Sequence, residues 1–216
     1  MIEAIWCWFL LKTMGKITLM AFGLWLYKEL TMGLNKSERS LKGKVALVTG
    51  GTDGLGLETA MQLAKRGCRV IITYRNKVKA EASIDMIVKR LGHVEIQGLA
   101  LDLASFKSIL AFDQALRQVA DKIDILVNNA GTFSIEHDQE GLPMKKYTED
   151  GLELVMGVNY FGHVVLTEKI LDLLKAAGRP EDPARIVTLS SIGHVNGRLN
   201  INDFDLNSNS RPYNAR

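Results

Sequence analysis

The length, composition and charge of this chain indicate one globular domain with an unusual amino-terminal end. With 216 residues and 47% hydrophobic content, the chain is long enough to bury a core. Six of the 27 Lys and Arg and three of the 24 Asp and Glu lie in residues 1–43, which leaves 21 of each in the remainder. This balance predicts no nucleic-acid surface, and the two cysteines, Cys7 and Cys68, have no spacing that predicts a disulfide framework or a metal site.

Residues 1–40 form a hydrophobic segment and linker that we separate from a domain at 41–216. In residues 4–27, 18 of 24 residues are apolar, and Trp6, Trp8 and Trp25 lie toward the two ends, as is typical of membrane-interface segments. Two central lysines, Lys12 and Lys16, would cost about 5 to 7 kcal/mol in the hydrocarbon. We therefore predict a helix that lies at a membrane surface, or two short apolar blocks that dip into the membrane. The alternative is an amino-terminal helix packed on the protein.

Residues 45–56 have the pattern of a strand, a phosphate-binding turn and a helix. The apolar run Val45–Val48 suits a strand buried on both faces. Glycines after it remove side chains where the backbone turns tightly, and the free N–H groups of the next helix attract an anion. The alternative is an ordinary glycine-rich turn. The candidate cofactor-binding residues of this stretch are Thr49, Gly50, Thr52, Asp53, Gly54, Leu55 and Gly56.

From residue 41 the chain alternates strand and helix patterns with short connections, which predicts a parallel sheet. We predict strands near 44–49, 69–74, 95–101, 123–128 and 185–190, and helices near 54–66, 76–91, 105–120 and 151–177. Right-handed crossovers in this order give an α/β doubly wound sheet of the Rossmann type with strand order 3-2-1-4-5.

Four motifs in chain order resemble those of the short-chain dehydrogenase/reductase family. They are Thr-Gly-x-x-x-Gly-x-Gly from Thr49, Asn128-Asn129-Ala130-Gly131 after a strand, Val158-Asn159 in a long helix, and Leu189-Ser190-Ser191 at another strand end. The run from Ser190 to His194 is similar to the retinol-dehydrogenase-like branch. The resemblance covers about residues 40–216. It implies a membrane-associated enzyme, with the endoplasmic reticulum as the expected compartment. The apolar character of the long helix near 151–177 suggests a partner surface, which makes a homodimer a candidate assembly.

Cofactor choice is predicted from the end of the second strand, where a carboxylate would bind a ribose 2′-hydroxyl. The chain has Tyr74-Arg75-Asn76-Lys77 there, without a carboxylate. The planar donor fork of Arg75 suits a 2′-phosphate and Lys77 adds positive charge, which favours NADP(H) over NAD(H). The alternative is that both side chains only solvate a helix start. Asp53 counts against NADP(H), because related NADP enzymes often carry a basic or neutral residue in that turn.

Two further segments are candidates for contact with the cofactor. In Leu101-Asp102-Leu103, Asp102 matches the family position that faces the adenine, and its alternative role is to cap the next helix. Leu103 belongs to the same segment. By resemblance, Asn128 braces the central strands, while Asn129, Ala130 and Gly131 lie near the cofactor ribose. Purely structural roles for the two asparagines stay open.

The catalytic candidates are Asn159 and Ser191. Asn159 interrupts an apolar helix, so we expect a buried, hydrogen-bonded amide, and the family uses it to hold a water that leads to a catalytic lysine. Ser191 matches the serine that orients the substrate carbonyl. None of the five tyrosines precedes a lysine by four residues, so the family's Tyr-x-x-x-Lys pair is missing. Since 213–216 resembles the stretch just before that motif, the chain is expected to end short of it, with its sheet incomplete on the carboxyl-terminal side.

Two functions follow from this pattern. The first is an NADP(H)-dependent oxidoreductase that interconverts an alcohol and a carbonyl on an apolar substrate, such as a retinoid, steroid or polyprenoid lipid, as the resemblance implies. The second is a nucleotide-binding or regulatory module without catalysis. We expect no dehydrogenase activity from the 216-residue chain itself.

Overall fold

The computed structural model describes residues 39–133, 136–137 and 143–196, together with 15, 18–27, 30 and 37 near the amino terminus. The chain divides into two compact units, Met1–Glu38 and Arg39–Arg216. Trp6, Trp8, Lys12 and Lys16, which entered the membrane prediction, lie outside the described residues, as does the segment 213–216.

The described part of the first unit is helical and exposes its large side chains. Residues 18–27 form a helix, in which the rings of Phe22 and Trp25 lie 5.7 Å apart. The part of the chain that the structure describes contains no helix that combines the length and the apolar character needed to cross a membrane. The exposed apolar side chains of this unit are Leu19, Met20, Phe22, Leu24, Trp25, Leu26, Tyr27 and Leu30.

The second unit is built on a five-stranded parallel sheet. Its strands are β1 (Val45–Val48), β2 (Arg69–Tyr74), β3 (Ile96–Ala100), β4 (Ile125–Asn128) and β7 (Arg185–Thr188). They lie in the order β3-β2-β1-β4-β7, which confirms the predicted 3-2-1-4-5 arrangement. A separate antiparallel pair joins β5 (Glu136–His137) to β6 (Pro143–Met144).

The helices connect the parallel strands. They are α1 (Gly54–Lys65), α2 (Lys77–Leu91), α3 (Phe106–Arg117), α4 (Leu154–Met156), a π-helix (Gly157–Phe161), α5 (Gly162–Lys169) and α6 (Leu171–Ala177), with a 3₁₀ helix at Ile192–Asn196.

The single helix predicted over 151–177 is divided. It begins after Glu153, whose buried carboxylate accepts hydrogen bonds from the N–H groups of Val155 and Met156. The helical run is interrupted at Ile170, whose backbone angles of φ −105° and ψ 10° are not those of an α-helix.

Alternate residues of the central strands enter two cores on opposite faces of the sheet. Leu47 and Leu126 pack on one face with Phe112 of α3 and Leu166 of α5. On the other face, Val48 joins the core that contains residues of α1 and α2. Because side chains alternate along a strand and both faces are covered, β1 is buried throughout, as its continuous apolar run predicts.

The sheet sets where polar groups meet. All five strands run parallel, so the residues that follow β1, β2, β3 and β4 come together at one edge. At the outer position, β7 pairs only with β4 among the described residues, and all four of its residues are exposed.

Candidate functional site

A cavity of about 420 Å³ opens at the carboxyl edge of the sheet. Its walls come from the glycine turn after β1, from the ends of β2, β3 and β4, and from the start of α2. A concave site at this edge is where ligands bind in open parallel sheets. The lining residues are Gly50, Thr52, Asp53, Gly54, Thr73, Tyr74, Arg75, Lys79, Leu101, Asp102, Leu103, Asn129, Ala130, Gly131, Thr132 and Val158.

Two glycines of the turn permit close backbone contacts that a side chain at either position would prevent. Gly50 has φ +64°, and a Cβ there would lie 3.0 Å from Cα of Ala130. A Cβ on Gly56 would collide with the carbonyl oxygen of Gly50 and with Nδ2 of Asn129. The turn can therefore fold back on itself and on the end of β4 only because both positions lack side chains.

The start of α1 presents backbone donors beside this turn. Its first intrahelical bond runs from the N–H of Leu57 to the carbonyl of Asp53, at 3.1 Å. Among the described residues, none accepts a hydrogen bond from the N–H groups of Leu55 and Gly56. Free N–H groups and the positive end of the helix dipole suit an anion. The side chain of Leu55 is exposed and does not line the cavity, whereas Gly56 lies beneath the turn.

Thr49 is fully buried and ties β1 to β4. Its Oγ1 accepts hydrogen bonds from the backbone N–H groups of Asn129 and Ala130, both at 2.9 Å. In return, Nδ2 of Asn129 donates to the carbonyl of Thr49 at 2.8 Å. Thr49 therefore does not line the cavity but holds in place the loop that does.

A charged cluster occupies the wall formed by β2 and α2. Asp53 accepts a hydrogen bond from the N–H of Gly54 through Oδ1 and forms an ion pair with Lys79 through Oδ2, at 2.6 Å. Arg75 lines the same cavity. We expected Lys77 to add positive charge here, but its side chain does not line the cavity. Its Nζ lies 3.8 Å from Oε1 of Glu81 instead.

Lys79 is therefore a site residue that sequence reasoning missed. Asn76 caps α2 by accepting a hydrogen bond from the N–H of Lys79, which places Lys79 in the first turn of the helix. Two features of the sequence could have indicated Lys79. One is the three-residue spacing from the helix-capping residue Asn76 to Lys79, and the other is the negative charge of Asp53, which needs a cation nearby.

Asp102 and Leu103 lie on the cavity wall. The alternative role of Asp102 as the cap of the next helix is wrong. Ser105 caps α3, because its Oγ accepts from the N–H of Ser108 at 3.1 Å. Asp102 accepts from the N–H of Ala104 at 3.0 Å and so shapes the turn that leads to this cap.

Asn159 differs from the expectation of a buried amide. It is exposed, and its side chain pairs with the backbone of Thr132, accepting from the N–H at 2.7 Å and donating to the carbonyl at 2.9 Å. Within the π-helix, Val158 turns into the core while Asn159 faces the loop after β4. This backbone pairing, rather than burial, satisfies the amide, and it holds a cavity-lining residue.

Ser191 does not line the cavity. It is exposed beyond β7, where its Oγ accepts a hydrogen bond from the N–H of Gly193 at 3.1 Å. The structure thus brings together the glycine turn, Arg75, Asp102, Leu103 and the 129–131 loop, but not Ser191. Among the described residues, no group of His, Cys, Asp and Glu could hold a metal ion.

The family model described as short chain dehydrogenase matches residues 44–202. The chain belongs to the short-chain dehydrogenase family. Among its relatives in this family, human retinol dehydrogenase 13 is 39% identical over 187 residues, which cover 86% of this chain and 52% of the relative. Human polyprenol dehydrogenase is 39% identical over 172 residues, which cover 80% of this chain and 50% of the relative. The chain thus spans about half the length of these short-chain dehydrogenases.

Solved structures with the same fold are also similar to this chain in sequence. The Pseudomonas aeruginosa RhlG/NADP active-site complex superposes with a TM-score of 0.60 at 32% identity, covering 71% of this chain and 57% of that chain. A short-chain dehydrogenase sheet with its glycine turn is therefore present in the described part of this chain.

Proposed function

We propose that the cavity at the carboxyl edge of the sheet binds a nicotinamide dinucleotide. The observation that carries this proposal is the glycine turn, in which Gly50 and Gly56 let the backbone fold against β4. Beside it, the start of α1 has N–H groups without a partner in the part of the chain that the structure describes. A pyrophosphate fits such a place, because it needs backbone donors and close approach rather than a dedicated basic side chain. The family of the chain supports this proposal.

We infer NADP(H) as the preferred dinucleotide, with NAD(H) less favoured. Arg75 and Lys79 both line the cavity at the end of β2 and the start of α2, where a ribose 2′-phosphate would need cations. Within the segment 74–79 there is no carboxylate that could accept from a free 2′-hydroxyl. The RhlG structure, which is similar to this chain, is an NADP complex.

For the whole protein we propose an oxidoreductase that interconverts an alcohol and a carbonyl on an apolar substrate. Its support is the similarity to retinol dehydrogenase 13 and to polyprenol dehydrogenase. When bound, the nicotinamide would supply or accept the hydride. In this chain, Thr49 and Asn159 would hold the loop 129–132 against the cofactor, and Ser191 is the candidate to orient the substrate oxygen.

A second candidate function is nucleotide binding without catalysis. Ser191 favours it, because this side chain lies outside the cavity and its Oγ already accepts from Gly193 in the described structure. Both functions require the same dinucleotide site. They differ in whether the protein converts a substrate, which a turnover assay measures.

The proposed binding is tested by calorimetric titration of the folded chain with NADPH and with NADH. We expect binding of both and tighter binding of NADPH. Arg75→Met should weaken NADPH binding by about tenfold, because a charge-assisted contact is lost. Arg90→Met is the matched control, since Arg90 lies on α2 away from the cavity. Absence of binding by either nucleotide to a folded chain would contradict the proposal.

We also infer that the first unit associates with a membrane surface. The exposed apolar side chains of residues 18–27 support this inference, since a helix of this kind buries such groups at the boundary between headgroups and acyl chains. Flotation of the chain with lipid vesicles, lost on replacing Phe22 and Trp25 with Ser, is the expected result. A chain that stays with the soluble fraction would contradict it.

A further inference from the structure

Two basic segments meet at the amino edge of the sheet, where the parallel strands begin. Segments 39–44 and 65–69 together carry six Lys and Arg and no Asp or Glu. They lead into β1 and β2, which are paired in the sheet, and the N–H of Leu41 donates to the carbonyl of Arg66 at 2.8 Å. The fold therefore holds the two basic segments against each other.

A cavity of about 690 Å³ opens at this edge, lined by both segments and by residues 93–95. Five of the six cations line it, together with one carboxylate. These lining groups are Lys42, Lys44, Lys65, Arg66 and Arg69, and the carboxylate of Glu95. Residues 44–216 as a whole hold equal numbers of basic and acidic side chains, so the amino edge concentrates positive charge that the rest of the unit balances.

Internal partners occupy only part of this cluster. Nζ of Lys44 lies 2.8 Å from Oδ1 of Asp124 and 2.7 Å from Oδ2 of Asp182. Nη2 of Arg69 donates to the carbonyl of Val119 at 2.6 Å. Within the part of the chain that the structure describes, three cations of the cavity lining form no ion pair, namely Lys42, Lys65 and Arg66. Like charges held together repel each other, so an anionic partner would stabilise this arrangement.

We propose that the amino-edge cluster, Lys42, Lys65 and Arg66, binds the anionic lipid headgroups of a membrane surface. The proposal rests on the inference that the first unit associates with a membrane, and it names the lipid charge that the second unit recognises. The chain from Tyr27 of the exposed apolar helix to Arg39 can span at most about 40 Å. An apolar segment followed closely by a basic cluster is the combination that gives stable attachment to anionic membranes.

Binding through the amino edge leaves the candidate dinucleotide site accessible. In a parallel sheet all strands begin at one edge and end at the opposite one, and the glycine turn after β1 lies at the carboxyl edge. A membrane that contacts the amino edge therefore does not cover that cavity. The exposure of Lys42 and Lys65 suits this contact, because the ammonium groups can reach headgroups without any movement of the sheet.

The test measures flotation of the full chain with vesicles of phosphatidylcholine and with vesicles in which about one-third of the lipid is phosphatidylserine. We expect the anionic vesicles to bind the chain at least about tenfold more strongly at low salt, since each cation near such a surface strengthens binding about fivefold. This difference should disappear in about 1 M NaCl, because charges are screened there beyond about 3 Å.

Lys42→Gln combined with Lys65→Gln removes two exposed cations of the cluster. This pair of substitutions should weaken binding to anionic vesicles by about tenfold and leave binding to neutral vesicles within about twofold. Lys77→Gln combined with Lys107→Gln is the matched control, because it removes the same charge from exposed lysines at the starts of α2 and α3, at the carboxyl edge. Arginine at positions 42 and 65 should retain the preference of the parent. Thermal unfolding of each variant shows that it is folded.

The outcomes separate this proposal from the inference about the first unit. If the parent chain floats with neither kind of vesicle, the first-unit inference is overturned, and this proposal with it. If the parent binds both kinds equally, or if the amino-edge and carboxyl-edge substitutions weaken binding by the same factor, only the amino-edge proposal is overturned. If the amino-edge substitutions weaken binding to a single-stranded RNA but not to anionic vesicles, the partner is a nucleic acid and the lipid proposal is wrong.

Discussion

Oγ1 of Thr49 lies 3.0 Å from Nε2 of His163, which joins the end of β1 to helix α5 beneath the cavity. Oγ1 already accepts from two backbone N–H groups, so its one hydrogen is left to donate either to the ring nitrogen or to the carbonyl of Val127, which lies 3.3 Å away. Burial lowers the pKa of His163, which keeps the ring neutral near pH 7 and able to accept at Nε2. Nδ1 of the same ring faces the carbonyl of Asn159 at 3.4 Å, so the π-helix belongs to the same assembly.

Replacing Thr49 with Val should remove the acceptor that two backbone N–H groups share. We expect a loss of about 1–3 kcal/mol in the free energy of unfolding, because the N–H of Ala130 would keep no partner among the described residues, while that of Asn129 would keep only the carbonyl of Val127 at 3.1 Å. Urea denaturation measures this loss. Thr49→Ser keeps the oxygen and should cost less than half as much, and equal losses for Val and Ser would contradict the role assigned to Oγ1.

Gly56→Ala should destabilise the chain by about 1–3 kcal/mol, because the new methyl group would meet the carbonyl of Gly50 and the amide of Asn129. Gly131→Ala is the matched control, since its methyl group would lie 3.5 Å from Oδ1 of Asn159, an ordinary contact. The control should stay within about 0.5 kcal/mol of the parent in thermal or urea unfolding. A tolerated Gly56→Ala would mean that the turn is not closed against β4.

Cys68 should be unreactive in the folded chain. It is 1% exposed, and burial, with the charge of Asp124 as a smaller cause, raises the pKa of its thiol to about 12. At pH 8, a Cys7→Ser chain should therefore react with iodoacetamide far more slowly when folded than in urea. Labelling at equal rates in both conditions would show that this part of the amino edge opens readily.

The contact between Arg117 and Asp172 should contribute to stability only above strongly acid pH. Two hydrogen bonds at 2.6 and 2.9 Å join the guanidinium to the carboxylate, and they lower the pKa of Asp172 to about 2. A carboxyl whose folded-state pKa is depressed stabilises the fold above its unfolded pKa of about 4 and loses this contribution as pH falls toward 2.

The pH dependence of unfolding checks this contact. The difference in urea midpoint between the parent and Asp172→Asn should be largest near pH 7 and should shrink from pH 4 downward. Because the pair is mostly exposed, the difference should also decrease at high salt. A difference that grows as the solution is acidified would contradict the assignment.

The sheet and its glycine turn were predictable because local patterns determine them. A continuous apolar run such as Val45–Val48 suits a strand covered on both faces, and the alternation of strands and helices leaves few topologies. Arg75 follows β2 directly, so its place at the carboxyl edge also follows from the strand prediction.

The positions of Lys79 and Asn159 were not predicted, because they depend on where a helix begins and on an irregular helical backbone. The lysine that faces the cavity is Lys79 rather than Lys77, because the Asn76 cap and the helix that begins at Lys77 determine which side of α2 meets the turn. Asn159 is exposed because a π-helix changes the spacing on which an amphipathic pattern relies. Neither feature has a periodic signal in the sequence.

Hydrogen–deuterium exchange with and without saturating NADPH tests the central claim most directly. If the cavity at the carboxyl edge binds the dinucleotide, amides in 49–56, 73–79, 101–103 and 129–132 should exchange more slowly with NADPH present. Peptides at the amino edge, such as 64–69, should exchange at the same rate in both conditions. Protection confined to the amino edge, or no protection anywhere in the folded chain, would contradict the account.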